Sequence, residues 1–396
     1  MDTLSTELYG LFDFALGDIP WQEFIDHYAE KYNEPQVDGF EQAPTSINYT
    51  FAQLIASGGV ATLPSYVSPD SPGYEKALKE LSGRTGNIPT QKAYYRLRRK
   101  TMLEKLQLIQ KFGPAALTPE MQGVFLGLLD ESTDGLIKGY YNSLTNQRMQ
   151  IASTGKFVIN STNNPRGITG VEIGFGIADS HFETLTTTSR WWTNATHIQA
   201  NEGSASDPIL YIKNRVKQIR RTFHYIGPIN LEMCKDLFDD LLTHSAVLKR
   251  IGYSFYPQSA TDVAAISAAS SFDTDILTAR LNKLCGVTII PRDTYAYVTA
   301  PGTNEDGEKD LVDTEIENFK KENISFLPAG QLGTIQGAEP ITFGYADNNV
   351  ASYDGGRLKL TQRANPETHS LYIESEAVQL CVLEVPQYTF ISTVTV

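Results

Sequence analysis

The stretch TPEMQGVFLGLLDESTDGLIKGYYNSLTNQRMQIASTG, residues 118–155, decides the fold because it predicts one very long helix. Thr118 suits the N-cap, Pro119 the first helical position and Gly155 the position just after the last turn. At 1.5 Å per residue this helix would be roughly 50 Å long, which is more than a compact domain of ordinary size needs. We call residues 118–153 the spine helix. Its apolar positions recur at helical spacing: Leu117, Met121, Val124, Phe125, Leu128, Leu129, Leu136, Tyr140, Leu144 and Ile151.

The chain before the spine helix predicts segments that fold poorly by themselves. Aromatic and aliphatic residues between Trp21 and Tyr32 recur at helical spacing, which indicates an amphipathic helix that packs on its own domain or on a neighbouring subunit. In residues 42–89, Gly and Pro repeatedly interrupt the strand-like runs 49–55 and 60–67, as in a loop or a long hairpin. A loop of this length is unusual inside a compact domain, so we expect a neighbouring chain to order it.

The segment from Thr90 to Phe112 is predicted to be a helix, and it carries the one dense basic run of the sequence. That run fits a solvated helix face, ion pairs between subunits or contacts to phosphate, and the sequence leaves these three interpretations open. Its four charged residues are Arg96, Arg98, Arg99 and Lys100.

The chain after the spine helix has ordinary mixed patterning. Paired strands are predicted at 156–159 and 171–177, and the final segment 370–396 is rich in β-branched residues, broken at Pro386. Further predictions are helices at 207–221 and 231–251, the first capped by Ser206 or Asp207, a strand at 286–291 and a polar loop at 303–313. Together these elements predict an α+β fold.

Composition excludes several classes of protein. The chain has 396 residues, 41% of them hydrophobic, and a formal net charge of -13, so we expect two or three globular domains and no nucleic-acid coat built on accumulated Lys and Arg. Cys234, Cys285 and Cys381 are odd in number and far apart, which favours reduced thiols. The acidic N-terminus does not read as a signal peptide, and the sequence lacks 18 consecutive apolar residues, so a soluble protein without membrane contact is expected.

The sequence predicts no catalytic residue, no cofactor site and no metal site. Gly155-Lys156 lacks the earlier glycine and the following Ser or Thr of a phosphate-binding loop. The six histidines are scattered without zinc-type spacing. The adjacent Trp191 and Trp192 are typical of packing positions.

The order of these elements, together with several short runs, resembles the major capsid proteins of tailed phages, most closely the family of the lambda major head protein. The chain differs from that family in a longer N-terminal region and in an insertion at 304–322. The runs are SPGY (71–74), YRLRRK (95–100), TGKF (154–157), GVEIGFG (170–176), Trp191, DPI (207–209), FLPAG (326–330), GY (344–345), ESEAVQL (374–380), Val385-Pro386 and 390–396.

The resemblance implies an HK97-like phage capsid fold and a structural role without enzyme activity. Such subunits form hexamers and pentamers of an icosahedral procapsid around a scaffold in the host cytoplasm. They then enclose double-stranded DNA without specific contacts, alongside a portal and decoration proteins, and become part of the virion. The implied organisation is an N-terminal arm (1–45), an extended loop (46–89), a peripheral domain with the spine helix (90–200), an axial domain (201–359) and C-terminal strands returning to the peripheral domain (360–396).

Two alternatives stay open at this stage. An encapsulin, which is a cellular shell protein with the same subunit fold, shares the predicted order of elements. A cytosolic α+β hydrolase would use a scattered Asp and His in a pocket. For a shell protein, the candidates for contacts between subunits are Trp21, Phe24, Tyr28, Tyr66, Tyr74, Arg96, Arg98, Arg99 and Lys100.

Overall fold

Helices and strands both contribute to the fold, which confirms the predicted α+β class. The computed structural model describes residues 16, 19–32, 37–56, 81–98, 119–186, 191, 207–255, 273–292, 295–303, 309–341, 350–365 and 370–394. The helices are α1 (Trp21–Lys31), α2 (Pro119–Thr154), α3 (Pro208–Thr222), α4 (Lys235–Thr243), α5 (Ser245–Phe255) and α6 (Thr274–Cys285). The strands are β1 (Phe40–Gln42), β2 (Thr50–Ala56), β3 (Leu81–Asn87), β4 (Thr90–Arg98), β5 (Lys156–Ile159), β6 (Val171–Gly174), β7 (Phe182–Thr184), β8 (Ile229–Cys234), β9 (Thr288–Arg292), β10 (Tyr295–Thr303), β11 (Lys309–Glu317), β12 (Asn323–Pro328), β13 (Gly333–Ala338), β14 (Val350–Tyr353), β15 (Leu358–Asn365), β16 (Ser370–Leu383) and β17 (Phe390–Thr393).

The first of two compact units is built on a six-stranded sheet. The sheet has the order β1-β13-β16-β15-β14, and β4 also pairs with β16. Helix α1 packs on β14, and the Trp21 indole Nε1 donates a hydrogen bond to the Leu360 carbonyl at 3.1 Å. Trp21 and Ile25 are buried, so the arm helix belongs to the core of this unit. The unit comprises Met1–Phe51, Thr85–Thr145 and Thr334–Val382.

The second compact unit is built on a five-stranded sheet with helices. The sheet order is β7-β17-β12-β8-β9, in which β8 and β9 are parallel, as are β17 and β7. All six residues of β12 are buried, and helices α4 and α6 contact β9. The core of the unit therefore covers both faces of its central strand. The unit comprises Ala52–Arg84, Asn146–Gly333 and Leu383–Val396.

The prediction of the spine helix is confirmed to within one residue at each end. Helix α2 has 36 residues and is about 54 Å long. Gly155 adopts a φ of +73°, the left-handed conformation that glycine accepts most easily at a helix end. Thr118 and Leu117 lie outside the described residues, as do the side chains of Met121, Val124 and Phe125, and Leu128 is half-buried. The buried positions of the predicted stripe are Leu129, Leu136, Tyr140, Leu144 and Ile151.

Three small two-stranded sheets complete the fold. Strands β5 and β6 pair as predicted, and β10 pairs with β11. Strand β2 pairs with β3, so the two described strands of this region agree with the hairpin that was one of its two interpretations. Residues 57–80, including the predicted strand at 60–67, lie outside the described residues.

The predicted helix at Thr90–Phe112 is wrong for residues 90–98, which form strand β4; the rest lies outside the described residues. Nine residues of β4 pair antiparallel with β16, from Thr90 opposite Val378 to Arg98 opposite Ser370. A distant strand thus supplies the backbone hydrogen bonds, and the adjacent tyrosines at 94 and 95 suit a strand. Tertiary pairing has overridden a broken helical pattern.

Two further predictions are wrong in part. The helix predicted at 231–251 starts with strand β8 up to Cys234, followed by α4 and α5, because β8 lies between β12 and β9 and pairs with both. The polar loop predicted at 303–313 is strand β11 from Lys309 onward. Its charged residues alternate along a strand that has an exposed face, so high polarity did not mean irregular structure here.

The remaining predictions after the spine helix are confirmed. Helix α3 starts after Asp207, whose Oδ1 accepts hydrogen bonds from the backbone N–H groups of Ile209 (3.0 Å) and Leu210 (3.1 Å). Strands β9 and β16 lie where strands were expected, and a 3-10 turn at Pro386–Tyr388 separates β16 from β17. Among the helices of the described residues, none is long and apolar enough to cross a membrane.

Candidate subunit-contact surfaces

The arm helix α1 is joined to the spine helix by polar contacts within the first unit. The Tyr28 hydroxyl donates a hydrogen bond to Asp130 Oδ1, and Tyr28 is 1% exposed. Burial, and then the bond to Asp130, raise the pKa of Tyr28 well above its usual range, so the phenol stays protonated and keeps donating. The contact fixes the register of α1 on α2.

Asp134, which lies one turn after Asp130 on α2, accepts contacts from three further donors. Lys31 Nζ lies 2.9 Å from its Oδ1, Lys138 Nζ lies 2.6 Å from its Oδ2, and the Tyr32 hydroxyl also donates to it. Burial alone would raise the pKa of Asp134, but the hydrogen bonds from Lys138, Tyr32 and Lys31 lower it well below its usual range. Burial and the bond to Asp134 raise the pKa of Tyr32 to about 12. We call these four residues the Asp134 cluster.

The candidate contact residues in the arm face their own chain to different degrees. Trp21 and Tyr28 are 4% and 1% exposed, so contacts within the first unit already use their surface. Phe24 is half-buried and stacks on Trp21, with 5.5 Å between ring centroids. Of the two interpretations left open by the sequence, packing on the own domain is therefore the one that these contacts favour. Contact between subunits through this helix stays a prediction, for which Phe24 has the most surface left.

The basic run lies on strand β4 and not on a helix. The Arg96 side chain is exposed, and its guanidinium lies 5.7 Å from the centre of the Tyr372 ring. Tyr94, 53% exposed, packs edge-on against the same ring. The backbone of Arg98 pairs with β16, whereas its side chain lies outside the described residues, as do Tyr66, Tyr74, Arg99 and Lys100. The role of this run between subunits stays a prediction.

Within the second unit, a buried ionic cluster fixes the C-terminal end of the spine helix. Both terminal nitrogens of Arg148 lie 2.5 Å from the carboxylate oxygens of Glu232 on β8. Arg292 on β9 adds a third contact, 2.7 Å from Glu232 Oε1. The side chains of Arg148 and Glu232 are 3% and 2% exposed. We call these three residues the Glu232 cluster.

The two arginines keep Glu232 ionised. Burial raises the pKa of this carboxyl, but hydrogen bonds and charge from Arg148 and then Arg292 outweigh burial and hold the pKa below its usual value. A bidentate pair of this kind fixes the relative orientation of the two side chains as well as the distance between them. The last turns of α2 are therefore held on two neighbouring strands at once.

Strand β12 completes the attachment of the helix end. The last carbonyls of a helix have no partner within the helix. Asn323 Nδ2 donates to the Ser153 carbonyl at 2.8 Å, and Ser325 Oγ donates to the Ala152 carbonyl at 2.6 Å. Two side chains of the central strand thus satisfy the end of α2, and the helix is oriented by the sheet.

Strands β10 and β11 form a ribbon without a third strand among the described residues. Nine residue pairs span it, from Tyr295 opposite Glu317 to Thr303 opposite Lys309. At its base, Lys321 Nζ donates to the Tyr295 hydroxyl at 2.8 Å, whereas Tyr297 further along is 69% exposed. The ribbon is therefore fixed at one end and exposed along its length.

Helix α3 carries a cationic surface that the sequence analysis did not single out. Five of its fifteen residues are basic and none is acidic. Arg215 is buried and lies 3.6 Å from Glu183, whereas Lys217, Arg220 and Arg221 are exposed. The run of basic residues without any acid in an acidic chain is the signal that could have identified it.

A shallow polar cleft of about 300 Å³ lies within the second unit, between the end of α2, the β5–β6 turn and the base of β11. Gln150, Asn163 and Lys320 are among its lining residues. The described residues contain no group of three or more His, Cys, Asp or Glu side chains placed to hold a metal ion.

Comparisons with known proteins give likeness at the level of solved structures. No family model matches the chain, and no curated protein matches it. A phage-related protein from Bordetella bronchiseptica RB50 is 11% identical with a TM-score of 0.46, covering 93% of this chain and 95% of that chain. The capsid of cyanophage P-SCSP1u is 11% identical with a TM-score of 0.42, covering 91% and 87%. The SrpI encapsulin complex from Synechococcus elongatus PCC 7942 is 7% identical with a TM-score of 0.37, covering 90% and 85%. At these TM-scores the likeness does not by itself assign a function.

Proposed function

We propose that the chain is the major capsid subunit of a tailed phage, and that it self-assembles into the hexamers and pentamers of an icosahedral shell. The role is structural and not catalytic. The sequence resemblance and the geometry of the described residues both support this proposal.

One observation carries the proposal: the chain builds extended elements, and one of them exposes much of its surface. Helix α2 is about 54 Å long, and the β10–β11 ribbon, which has no third strand in the described part of the chain, leaves Tyr297 and Leu311 exposed. A two-stranded ribbon alone is marginally stable in water, and additional surface must cover it to make it stable. A shell subunit obtains that surface from its neighbours.

The fixed C-terminal end of α2 supports the same role. A shell needs a subunit whose long elements keep their direction, and the Glu232 cluster and the caps from Asn323 and Ser325 orient the helix end. In a closed assembly each weak contact recurs in every subunit, so modest interfaces add up. Large permanent assemblies commonly bury about 2,000 Å² or more per interface.

Finer features of the proposed role follow from charge and from the resemblance. A net charge of -13 suits a shell that encloses double-stranded DNA without binding it tightly, since strong phosphate contacts would hinder packaging. A scaffold, a portal and decoration proteins are the expected partners, assembly takes place in the host cytoplasm, and the mature protein is part of the virion.

The direct test is to express the full chain and examine it by negative-stain electron microscopy and sedimentation velocity. We expect closed particles, or rings of five or six subunits, alone or with a co-expressed scaffold. A protein that stays monomeric under every condition, including with scaffold, contradicts the proposal. Particles that enclose a cargo protein and never DNA favour the encapsulin alternative.

A further inference from the structure

We infer that the acidic face of the β10–β11 ribbon binds the cationic face of helix α3 in a second copy of this chain. The inference rests on the proposed function, because it names the surfaces through which subunits meet within a ring. Both surfaces belong to the second compact unit.

The acidic face of the ribbon follows from the register of its strands. Asp313, Glu315 and Glu317 are two residues apart, so their side chains lie on one face of β11. Their cross-strand partners on that face include Tyr295 and Tyr297, which are 38% and 69% exposed. The face therefore combines three carboxylates with two exposed aromatic rings. Strand β10 contains no charged residue. At the base of the ribbon, however, the Lys321 backbone N–H donates a hydrogen bond to Glu317 Oε1, and Lys321 Nζ lies 4.6 Å from the centre of the Tyr295 ring. Asp313, Glu315 and Tyr297 are therefore the part of the face that is available to a partner.

The cationic face of α3 is the complementary surface. Lys213, Lys217 and Arg221 follow one another at intervals of four residues, and Arg220 lies beside them. Basic residues in a last turn can be explained by the helix dipole, but Lys213 and Lys217 lie in earlier turns. Within the described residues, these four side chains form no ion pair. Like charges four residues apart on a helix repel each other, so the helix is more stable with an acidic partner.

The two surfaces match in spacing as well as in charge. Carboxylates on alternate residues of a strand are about 6.8 Å apart, and cations four residues apart on a helix are about 6 Å apart. Asp313 and Glu315 of one copy can therefore face two successive cations of α3 in another. The exposed Tyr297 adds a surface on which the Arg221 guanidinium can stack.

The pairing takes place between copies. Within one chain, the described residues show no ion pair between Asp313, Glu315 or Glu317 and the cations of α3. The ribbon and the helix are different surfaces of the same subunit, so the contact is head-to-tail. Head-to-tail contacts generate rings when the rotation closes. The ribbon also gains the partner that a two-stranded sheet requires for stability.

The test uses charge reversal in the full chain. Lys217→Glu with Arg221→Glu reverses the helix, and Asp313→Lys with Glu315→Lys reverses the ribbon. We expect each pair to lower the yield of rings or particles about tenfold or more at low salt, because repulsion replaces attraction in every contact. We expect the quadruple variant to restore assembly, and an equal mixture of the two double variants to restore rings with an even number of subunits, in which the two variants alternate. Restoration in the mixture requires pairing between copies.

A matched control separates surface charge from the proposed contact. Lys235→Glu with Lys283→Glu makes the same change in net charge as the helix reversal, at exposed positions outside both surfaces, and should assemble like the wild type. Circular dichroism checks that every variant is folded. If the wild type forms particles and both reversals assemble equally well, the inference is wrong while the proposed function stands. If folded reversals fail and neither the quadruple variant nor the mixture recovers, the surfaces bind another partner, such as DNA, and the inference is also wrong. If the wild type never assembles, the proposed function itself fails.

Discussion

The Asp134 cluster and the Glu232 cluster both pair a carboxylate with cations, but they differ greatly in solvent exposure. Each places one carboxylate between two cations, and each involves the spine helix. The carboxylate of Glu232 is 2% exposed and that of Asp134 is 16% exposed, but the cations differ more: Arg148 is 3% exposed, whereas Lys31 and Lys138 are 48% and 59% exposed.

This difference determines what each cluster contributes. Removal of one partner from a buried pair leaves an uncompensated charge and costs about 3–5 kcal/mol, whereas exposed pairs contribute about 0–1 kcal/mol. The Glu232 cluster therefore fixes the orientation of the helix end, and a variant that loses only one of its charges should be strongly destabilised. The Asp134 cluster adds the contacts of Lys31 and Tyr32 to the hydrogen bond between Tyr28 and Asp130 that already joins α1 to α2.

The largest expected effect comes from Glu232→Gln. The substitution removes the buried carboxylate charge that Arg148 and Arg292 both contact, so we expect the free energy of unfolding to fall by about 3–5 kcal/mol. Urea unfolding followed by circular dichroism measures the change. The double variant Arg148→Met, Glu232→Leu is the matched control, and we expect it to lose less, because both charges of the most deeply buried pair are removed together and only Arg292, which is 14% exposed, keeps its charge. A loss below 1 kcal/mol for Glu232→Gln contradicts the comparison.

Apolar burial by the arm helix should produce the next largest effect. Ile25 is fully buried in the first unit, so Ile25→Ala should cost about 2–4 kcal/mol, mainly through the cavity that it leaves. Glu23→Ala, an exposed position on the same helix, should change stability by no more than about 0.5 kcal/mol. If the two variants are equally stable in urea, α1 does not belong to the core of the unit.

The spine helix could be predicted because its signal is local and repeated. The apolar pattern runs over many turns, and Pro119 and Gly155 define the two ends through their own backbone preferences. The same reasoning predicted the cap at Asp207, since a side-chain acceptor before Pro208 suits a helix start. Such features depend on neighbours in the sequence and need no knowledge of distant contacts.

Strand β4 and the Glu232 cluster could not be predicted because distant residues decide them. Residues 90–98 become a strand only through pairing with β16, whose residues lie far along the chain. Arg148 and Glu232 are separated by 84 positions and appear in the sequence as unrelated charges. The glycines of the spine helix differ in the space around them, and a Cβ at Gly127 or Gly139 would meet no atom within 4 Å. Gly135 is the crowded one, where a Cβ would lie 2.6 Å from the Tyr95 hydroxyl.

Acid should weaken the contribution of the Glu232 cluster to stability. The pKa of Glu232 in the folded protein lies below its ordinary value of 4.5, so the unfolded state takes up a proton first as the pH falls. The stability that Glu232 contributes is thus fully present above about pH 4.5 and is lost as the pH falls towards the folded pKa. We expect the difference in unfolding free energy between wild type and Glu232→Gln to narrow as the pH is lowered from 7 into the acid range. A constant difference across that range contradicts the linkage.

The smallest expected effect is that of Asp134→Asn, and salt should reveal its origin. The amide keeps the size of the carboxylate but loses the charge that attracts Lys31 and Lys138, so we expect a loss of at most about 1 kcal/mol at low ionic strength. Because exposed pairs are screened, the loss should shrink further in 1 M salt, where the screening length is about 3 Å. The loss from Glu232→Gln should change little under the same conditions, since buried pairs are screened much less. Urea unfolding of both variants at low and high salt measures the contrast. Equal salt sensitivity of the two variants would mean that burial does not distinguish the clusters.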